Sequence, residues 1–213
     1  MHARSTGLGS ALSVGAVSQE TLGPDPLIVF ERWFAEAHAL DPRFADAMTL
    51  ATASPDGRPS ARTVLYKGMD LGALCFVSNY ESSKGQELAQ NPRAALVFFW
   101  AGLNRQVRIE GRVERATAAW SDSYFAARER SSQIGAWASA QSQIIASRHV
   151  LEARIAEAEA RFLGQPVPRP AYWGGYRLEP ERVEFWLGQS SRLHDRYSYH
   201  RSLSGWDVER LSP

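Results

Sequence analysis

Residues able to do chemistry crowd into one run near the C-terminus, Trp186-Leu-Gly-Gln-Ser-Ser-Arg192-Leu193-His194-Asp-Arg196. An indole, two guanidinium groups and an imidazole this close together suit a flat, polar, anionic heterocycle, which rings can stack on and guanidinium forks can hydrogen-bond. A core strand has no use for that set. A solvated hairpin could carry it too, so partners elsewhere in the chain must decide. Candidate partners are basic and amide side chains near apparent strand ends. Arg62 and Lys67 bracket Thr63-Val64-Leu65-Tyr66; five positions apart on a strand, they fall on opposite faces and can serve two different anionic groups. Val77-Ser78-Asn-Tyr-Glu-Ser82-Ser83-Lys84 joins a strand to a helix, whose free N–H groups and positive dipole end favour a phosphate. A Ser-rich helix cap reads the same way. Arg105-Gln106, Gln141-Ser142 and the Arg128 to Ser132 loop are ambiguous taken singly.

Several chemistries are missing from the sequence. The histidines at 2, 38, 149, 194 and 200 lack metal-ligand spacing and there is no cysteine pair, so no metal is expected. Neither a G-x-S-x-G elbow, a P-loop nor a G-x-G-x-x-G fingerprint occurs. Cys75, the single cysteine, sits in the apolar run Ala73 to Val77 and reads as a buried strand residue in a reducing, cytoplasmic setting. With 24 Lys plus Arg against 23 Asp plus Glu, the net charge of +1 gives no reason to expect nucleic acid or an anionic membrane surface as partner. No apolar run approaches the ~20 residues that span a bilayer.

The elements that must position these residues follow from periodicity. Residues 1 to 22, rich in Ser, Gly and Ala, read as a flexible arm, and residues 23 to 213 as one domain. Asp25-Pro26 caps a helix through about Leu40, with Leu27, Phe30, Phe34 and Ala37 on one face. Met48 to Ala53 and Ala61 to Tyr66 form a hairpin around Pro55-Asp-Gly-Arg58, and Ala73 to Ser78 adds a strand. Ser82 to Gln90 reads as a short helix. Ala94 to Trp100 looks like a strand buried on both faces, and Val107 to Glu114 alternates Val107, Ile109, Gly111 and Val113 inward. Residues 117 to 163 turn helical, Gln165 to Pro170 is a stiff connector, and strands return at 176–178, 183–186, 193–199 and 206–211. Strands, then helices, then strands is α+β order, and a closed or partly closed antiparallel barrel with helices outside is the favoured architecture.

As an ordered series, these motifs resemble the pyridoxamine 5'-phosphate oxidase family. Those that carry the resemblance are Arg62-Thr-Val-Leu-Tyr-Lys67, Ser78 to Lys84, Arg105-Gln106-Val, Ser132-Gln-Ile-Gly-Ala-Trp137, Gln141-Ser142, Tyr172-Trp-Gly-Gly175, Val183-Glu-Phe-Trp186, Arg192-Leu-His-Asp-Arg196 and Glu209 to Pro213. The resemblance implies an FMN-binding split β-barrel, Greek-key-like, working as a homodimer with FMN at the subunit interface. It implies that Arg62, Lys84 and Ser78 hold the FMN phosphate, with Val77 and Ser83 beside them. The Thr63, Val64, Leu65 and Tyr66 backbone, Lys67, Gln106, Gln141, Ser142, Trp186 and Arg196 would complete the flavin site. Lys67, Tyr124, Arg128 and Ser132 would grip the substrate phosphate, and Arg192, Leu193 and His194 would lie over the pyridine ring, with Arg192 and His194 in the catalytic role. The reaction implied is oxidation of pyridoxamine or pyridoxine 5'-phosphate to pyridoxal 5'-phosphate, with dioxygen as acceptor and hydrogen peroxide as product.

Three departures stand out. Ser83 replaces an arginine common before the lysine of the second motif, Val77 replaces an aromatic residue, and residues 1 to 22 lack the family's Arg-Arg-x-Tyr run. Trp137 and Trp173 read as packing residues. Two other readings stay open: a same-fold flavin oxidase acting on another ring system, such as a phenazine precursor, and a non-catalytic module that binds flavin or pyridoxal phosphate.

Overall fold

The computed structural model describes residues 22–213. The expected arm lies outside them except for Leu22, which is buried in the main core. Helix α1 (Pro26–Leu40) starts as read: Asp25 is its N-cap, accepting a hydrogen bond from the Leu27 N–H at 2.8 Å. It is followed by β1 (Ala47–Ala53), β2 (Pro59–Leu65), a two-residue β3 (Met69–Asp70), β4 (Ala73–Asn79), α2 (Ser83–Gln90), β5 (Arg93–Trp100) and β6 (Arg105–Arg115). Three helices come next, α3 (Ala118–Ala126), α4 (Arg130–Ala138) and α5 (Arg148–Arg161), and then β7 (Trp173–Leu187), β8 (Asp195–Ser202) and β9 (Gly205–Leu211). Among the described residues no helix is long and apolar enough to cross a membrane.

All described ladders are antiparallel, in the order β2-β1-β5-β6-β7-β4-β3, with β8 and β9 continuing from the second half of β7. The barrel is split. Residues after β2 bring the far edge close, where the Lys67 N–H donates to the Cys75 carbonyl at 2.8 Å and the Cys75 N–H to the Gly68 carbonyl at 2.9 Å, but no ladder joins β2 to β4. Leu50, Leu96, Phe98, Val107, Ile109 and Phe185 fill the inside together with Phe30 and Trp33 of α1. A second core lies under α3, α4 and α5, built from Phe125, Ile134, Ala158, Phe162, Val167 and Trp173.

Three expectations are corrected. β5 is not buried on both faces: Leu96 and Phe98 are fully buried, whereas Phe99 is 58 % exposed, because none of the described residues covers the outer face there. The Arg128 to Ser132 loop is mostly the start of α4. Residues 176–178 and 183–186, read as separate strands, are one strand of 15 residues. The strand contains Pro180, although proline cannot donate to a ladder. The chain accommodates it at a bulge, where pairing jumps from Glu110↔Arg182 to Gly111↔Pro180. Gly111 permits the close approach, because a Cβ there would sit 1.9 Å from the Glu179 carbonyl oxygen.

Candidate active site

A cavity of about 680 Å³ opens between the edge of β2, the end of β4 and the helices α3 and α4. That is inside the range of roughly 300–1,000 Å³ usual for small-molecule sites. Arg62, Thr63, Val64, Leu65, Lys67, Val77, Ser78, Lys84, Tyr124, Arg128, Ser132 and Gln141 all line it, so the fold brings residues from three distant stretches of sequence together. Arg62 and Lys67 belong to alternate faces of the chain yet open into this one cavity, because it runs along the strand's edge.

The cations are of two kinds. Arg62 is neutralised by Glu87, 3.3 Å away, and its guanidinium also donates to the Leu50 carbonyl, Thr52 Oγ1 and Ser60 Oγ. Burial alone would raise the Glu87 carboxyl, but the Thr52 and Ser60 hydroxyls and Arg62 hold it below its ordinary value. Lys67 pairs with Asp46 at 3.0 Å. Lys84 and Arg128, by contrast, form no ion pair among the described residues. The Lys84 ammonium donates only to neutral oxygens, Ser78 Oγ and Ser82 Oγ at 3.2 Å and Gln141 Oε1 at 3.1 Å. Its pKa is lowered by burial and by the charge of Arg62. The Arg128 guanidinium lies 4.5 Å from the centre of the Trp173 ring, and its Nη1 is buried with no hydrogen-bond partner. A buried donor left unmade costs about 1–3 kcal/mol, which poises Arg128 for an anion; Lys84, bonded only to neutral oxygens, keeps a charge that no carboxylate offsets.

Local structure explains the positioning. Ser82 caps α2, accepting from the Gly85 N–H, so Lys84 sits in the first turn, at the positive end of the helix dipole. Ser83 and Ser142 do not line the cavity; the Ser83 N–H donates to Ser142 Oγ at 3.2 Å, tying the α4–α5 loop to the start of α2. Gln141 is held in the cavity by that same loop. Tyr66 is placed differently from the rest of its motif: its ring is buried against Phe30, Phe34 and Phe98, leaving only its backbone near the site. Trp173 lines the cavity and carries Arg128, so it does more than pack; Trp137 packs on Phe162 and donates to the Pro168 carbonyl, as read. Sequence reading missed Asn79, Gly135, Ala136 and Ser139. The last three share one helical face with Ser132, a spacing that reading Arg128 to Ser132 as a loop concealed.

Gln106, Trp186, Arg192, Leu193, His194 and Arg196 do not line this cavity. They gather at the other end of β7, where Trp186 pairs with Gln106 on one side and Arg196 on the other. Trp173 and Trp186 are 13 positions apart on that strand, roughly 40 Å of strand path at ~3.3 Å per residue. Trp186 lies against His194, with ring centres 4.6 Å apart and ring planes tilted by 42°. Arg196 is committed within the chain: its Nε and Nη2 grip Glu184 at 2.9 and 2.8 Å, and Nη1 donates to the Ser212 carbonyl. Arg192 has no hydrogen-bond or ion-pair partner among the described residues, and Leu193 beside it is 69 % exposed. Ser191 and Arg192 both have left-handed backbones, φ 56° and 61°. Such conformations cost non-glycine residues about 1–3 kcal/mol each and persist where surroundings fix them.

Residues 37–162 match the family model described as pyridoxamine 5'-phosphate oxidase, and residues 173–213 the pyridoxine 5'-phosphate oxidase C-terminal dimerisation region. A pyridoxine/pyridoxamine 5'-phosphate oxidase of Rubrobacter xylanophilus is 52 % identical over 207 residues, 97 % of this chain and 95 % of the relative. One from Burkholderia thailandensis is 55 % identical over 195 residues, 90 % of this chain and 91 % of its own. Among solved structures, PhzG from Burkholderia lata 383, in complex with tetrahydrophenazine-1-carboxylic acid, superposes with a TM-score of 0.85 at 33 % identity, covering 91 % of this chain and 95 % of PhzG. A pyridoxamine 5'-phosphate oxidase-related, FMN-binding protein of Nostoc punctiforme has a TM-score of 0.71 at 19 % identity, covering 86 % and 97 %, a likeness of fold.

Proposed function

Because this chain belongs to the pyridoxamine 5'-phosphate oxidase family, we propose that it is an FMN-dependent oxidase that converts pyridoxamine and pyridoxine 5'-phosphates to pyridoxal 5'-phosphate, working as a homodimer. The observation that carries the reading is the pair of cations without a carboxylate, Lys84 and Arg128, on different walls of one cavity. A flavin and a substrate that each bear a phosphate would use one apiece. A dianionic phosphate bound by charge-assisted hydrogen bonds needs such groups. Lys84, Ser78 and the first turn of α2 would take the FMN phosphate, with Arg62 held ready by Glu87. Arg128, Lys67, Tyr124 and Ser132 would take the substrate phosphate. Bound FMN would supply the two-electron chemistry, with the substrate's 4' carbon as hydride donor and dioxygen as final acceptor, reduced to hydrogen peroxide; the amine substrate would in addition take up water and release ammonia.

The protein's own part is alignment and exclusion of water. Trp186, Gln106, Arg192 and His194 cannot reach the cavity of their own chain along β7, and their exposed neighbours fit a second copy. The outward face of β2, β1 and β5 carries Leu65, Thr49, Ala51, Ala95, Val97 and Phe99, small or apolar residues suited to a flat subunit contact. Together with the match to a dimerisation region, this supports a site made from two chains, with Arg192 and His194 of one lying over the ring held by the other. The lone, buried Cys75 fits a cytoplasmic place of work.

The test is direct. Purified protein mixed with FMN should turn yellow, elute as a dimer, and consume oxygen while forming pyridoxal 5'-phosphate from either substrate. Protein that takes up no flavin, or takes it up without oxidising either phosphate, would end the reading. The likeness to PhzG favours a second substrate class, a reduced phenazine precursor. Such a substrate has no phosphate for Lys67, Tyr124, Arg128 and Ser132, and oxidation of it in preference to the pyridine phosphates would select that alternative.

A further inference from the structure

We propose that Gln189 is a positioning residue for His194, fixing its tautomer and its place; this deepens the proposed oxidase reading and rests on it for the role of His194. The Gln189 backbone N–H donates to His194 Nδ1 at 3.1 Å. A backbone amide can only donate, so Nδ1 holds its lone pair towards Gln189, and the neutral ring carries its proton on Nε2. Nε2 has no hydrogen-bond partner among the described residues.

What keeps the amide in place is the Gln189 side chain. Its Nε2 donates to Asp195 Oδ2 at 2.8 Å, and Asp195, only 6 % exposed, takes Arg210 on its other oxygen at 2.8 Å. The segment between is tightly folded. Leu193 N–H donates to the Ser190 carbonyl at 3.1 Å, and the two left-handed residues, Ser191 and Arg192, lie inside the bracket that Gln189 and Asp195 close. Just before it, Gly188 is pinned: its N–H donates to the Asn104 carbonyl at 2.9 Å, and a Cβ there would meet Asn104 Nδ2 at 2.0 Å. A strained turn of this kind relaxes if its bracket opens, and His194 would lose both its place and its fixed proton. Gln189 therefore sets His194 to present an Nε2–H donor to an acceptor atom of the substrate, while Trp186 backs the ring.

Histidine-labelled ¹⁵N NMR of the FMN-loaded protein reads this without turnover. In the native protein His194 should show a bare Nδ1 and a protonated Nε2. In Gln189→Ala the two ring nitrogens should average as the tautomers exchange, kcat should fall on the order of tenfold, and the FMN Kd should stay within about twofold. A Gln189→Ala protein with the native ring pattern and native kcat overturns the proposal, and so does one that releases its flavin. If the native protein failed to oxidise either pyridine phosphate, the oxidase reading would fall, while the ring nitrogens would still decide whether Gln189 orders His194.

Discussion

The two ends of strand β7 make an instructive pair. At the Trp173 end the cavity is walled within one chain, with Ser78 and Gln141 engaged by Lys84 and two cations left without a counter-charge. At the Trp186 end the groups satisfy one another. Arg196 is spent on Glu184 and Ser212 and His194 Nδ1 on Gln189, while Arg192 and Leu193 are exposed and the imidazole Nε2 has no partner among the described residues. The first end is built to receive an anion whatever ring it carries; the second, to be brought up to a ring that something else already holds. Affinity and chemistry should therefore separate by region when residues are changed.

The strongest break in that comparison would come from the Trp186 end. Arg192→Ala or His194→Ala should lower kcat roughly a hundredfold, the order of loss expected for misplaced reacting groups, while visible absorbance shows the flavin retained. Flavin loss instead would mean that this end binds cofactor and that the division is wrong. Arg128→Ala should act the other way, raising KM for the phosphorylated substrate about 10- to 100-fold as a charged hydrogen-bond set is lost, with kcat little changed in steady-state assays. An unchanged KM would remove Arg128 from the substrate site. Lys84→Ala should weaken FMN about tenfold by fluorescence titration.

Lys84 also gives a pH signature. The ammonium form binds phosphate, and its pKa in the free protein is lowered by burial and Arg62. FMN affinity should therefore be full at neutral pH and fall as pH rises through a value below the usual lysine range, earlier than for an exposed lysine. Lys84→Arg, which stays charged, should flatten that fall; a fall of the same size in the variant would assign it to another group. The smallest effect expected is from Ser83→Arg, which adds a charge at the exposed start of α2 and should tighten FMN only about threefold. An unchanged Kd would mean that Lys84 and Arg62 already suffice.

Much of this was legible in the sequence because it rests on local rules. Asp25-Pro26 and Ser82 announce helix starts, and Val107 to Val113 alternates because one face is buried. The residues of the Trp173 end were findable because their types, Arg, Lys and Ser near strand ends, are costly to spend on packing. Other features depend on three-dimensional neighbours that no window of sequence contains. That Phe99 is exposed follows from a missing cover, that Tyr66 turns into the core follows from the rings of α1, and that Asp46 and Glu87 neutralise two of four cations follows from the barrel's curvature. Gln189 escaped notice because its side chain acts through Asp195 and its backbone N–H through His194, contacts that exist only once the turn is folded.

The bulge in β7 makes that strand legible in two frames. Before it, even-numbered residues such as Tyr176 and Leu178 point inward; after it, the odd-numbered Val183, Phe185 and Leu187 do. The one extra residue is thus a parity switch between two modules that share a single continuous backbone. Losing it would swap inside for outside along the whole downstream half, sending Trp186 and Glu184 into the barrel and Phe185 into water. Segments exchanged between such chains would keep their meaning only when the cut preserves the frame.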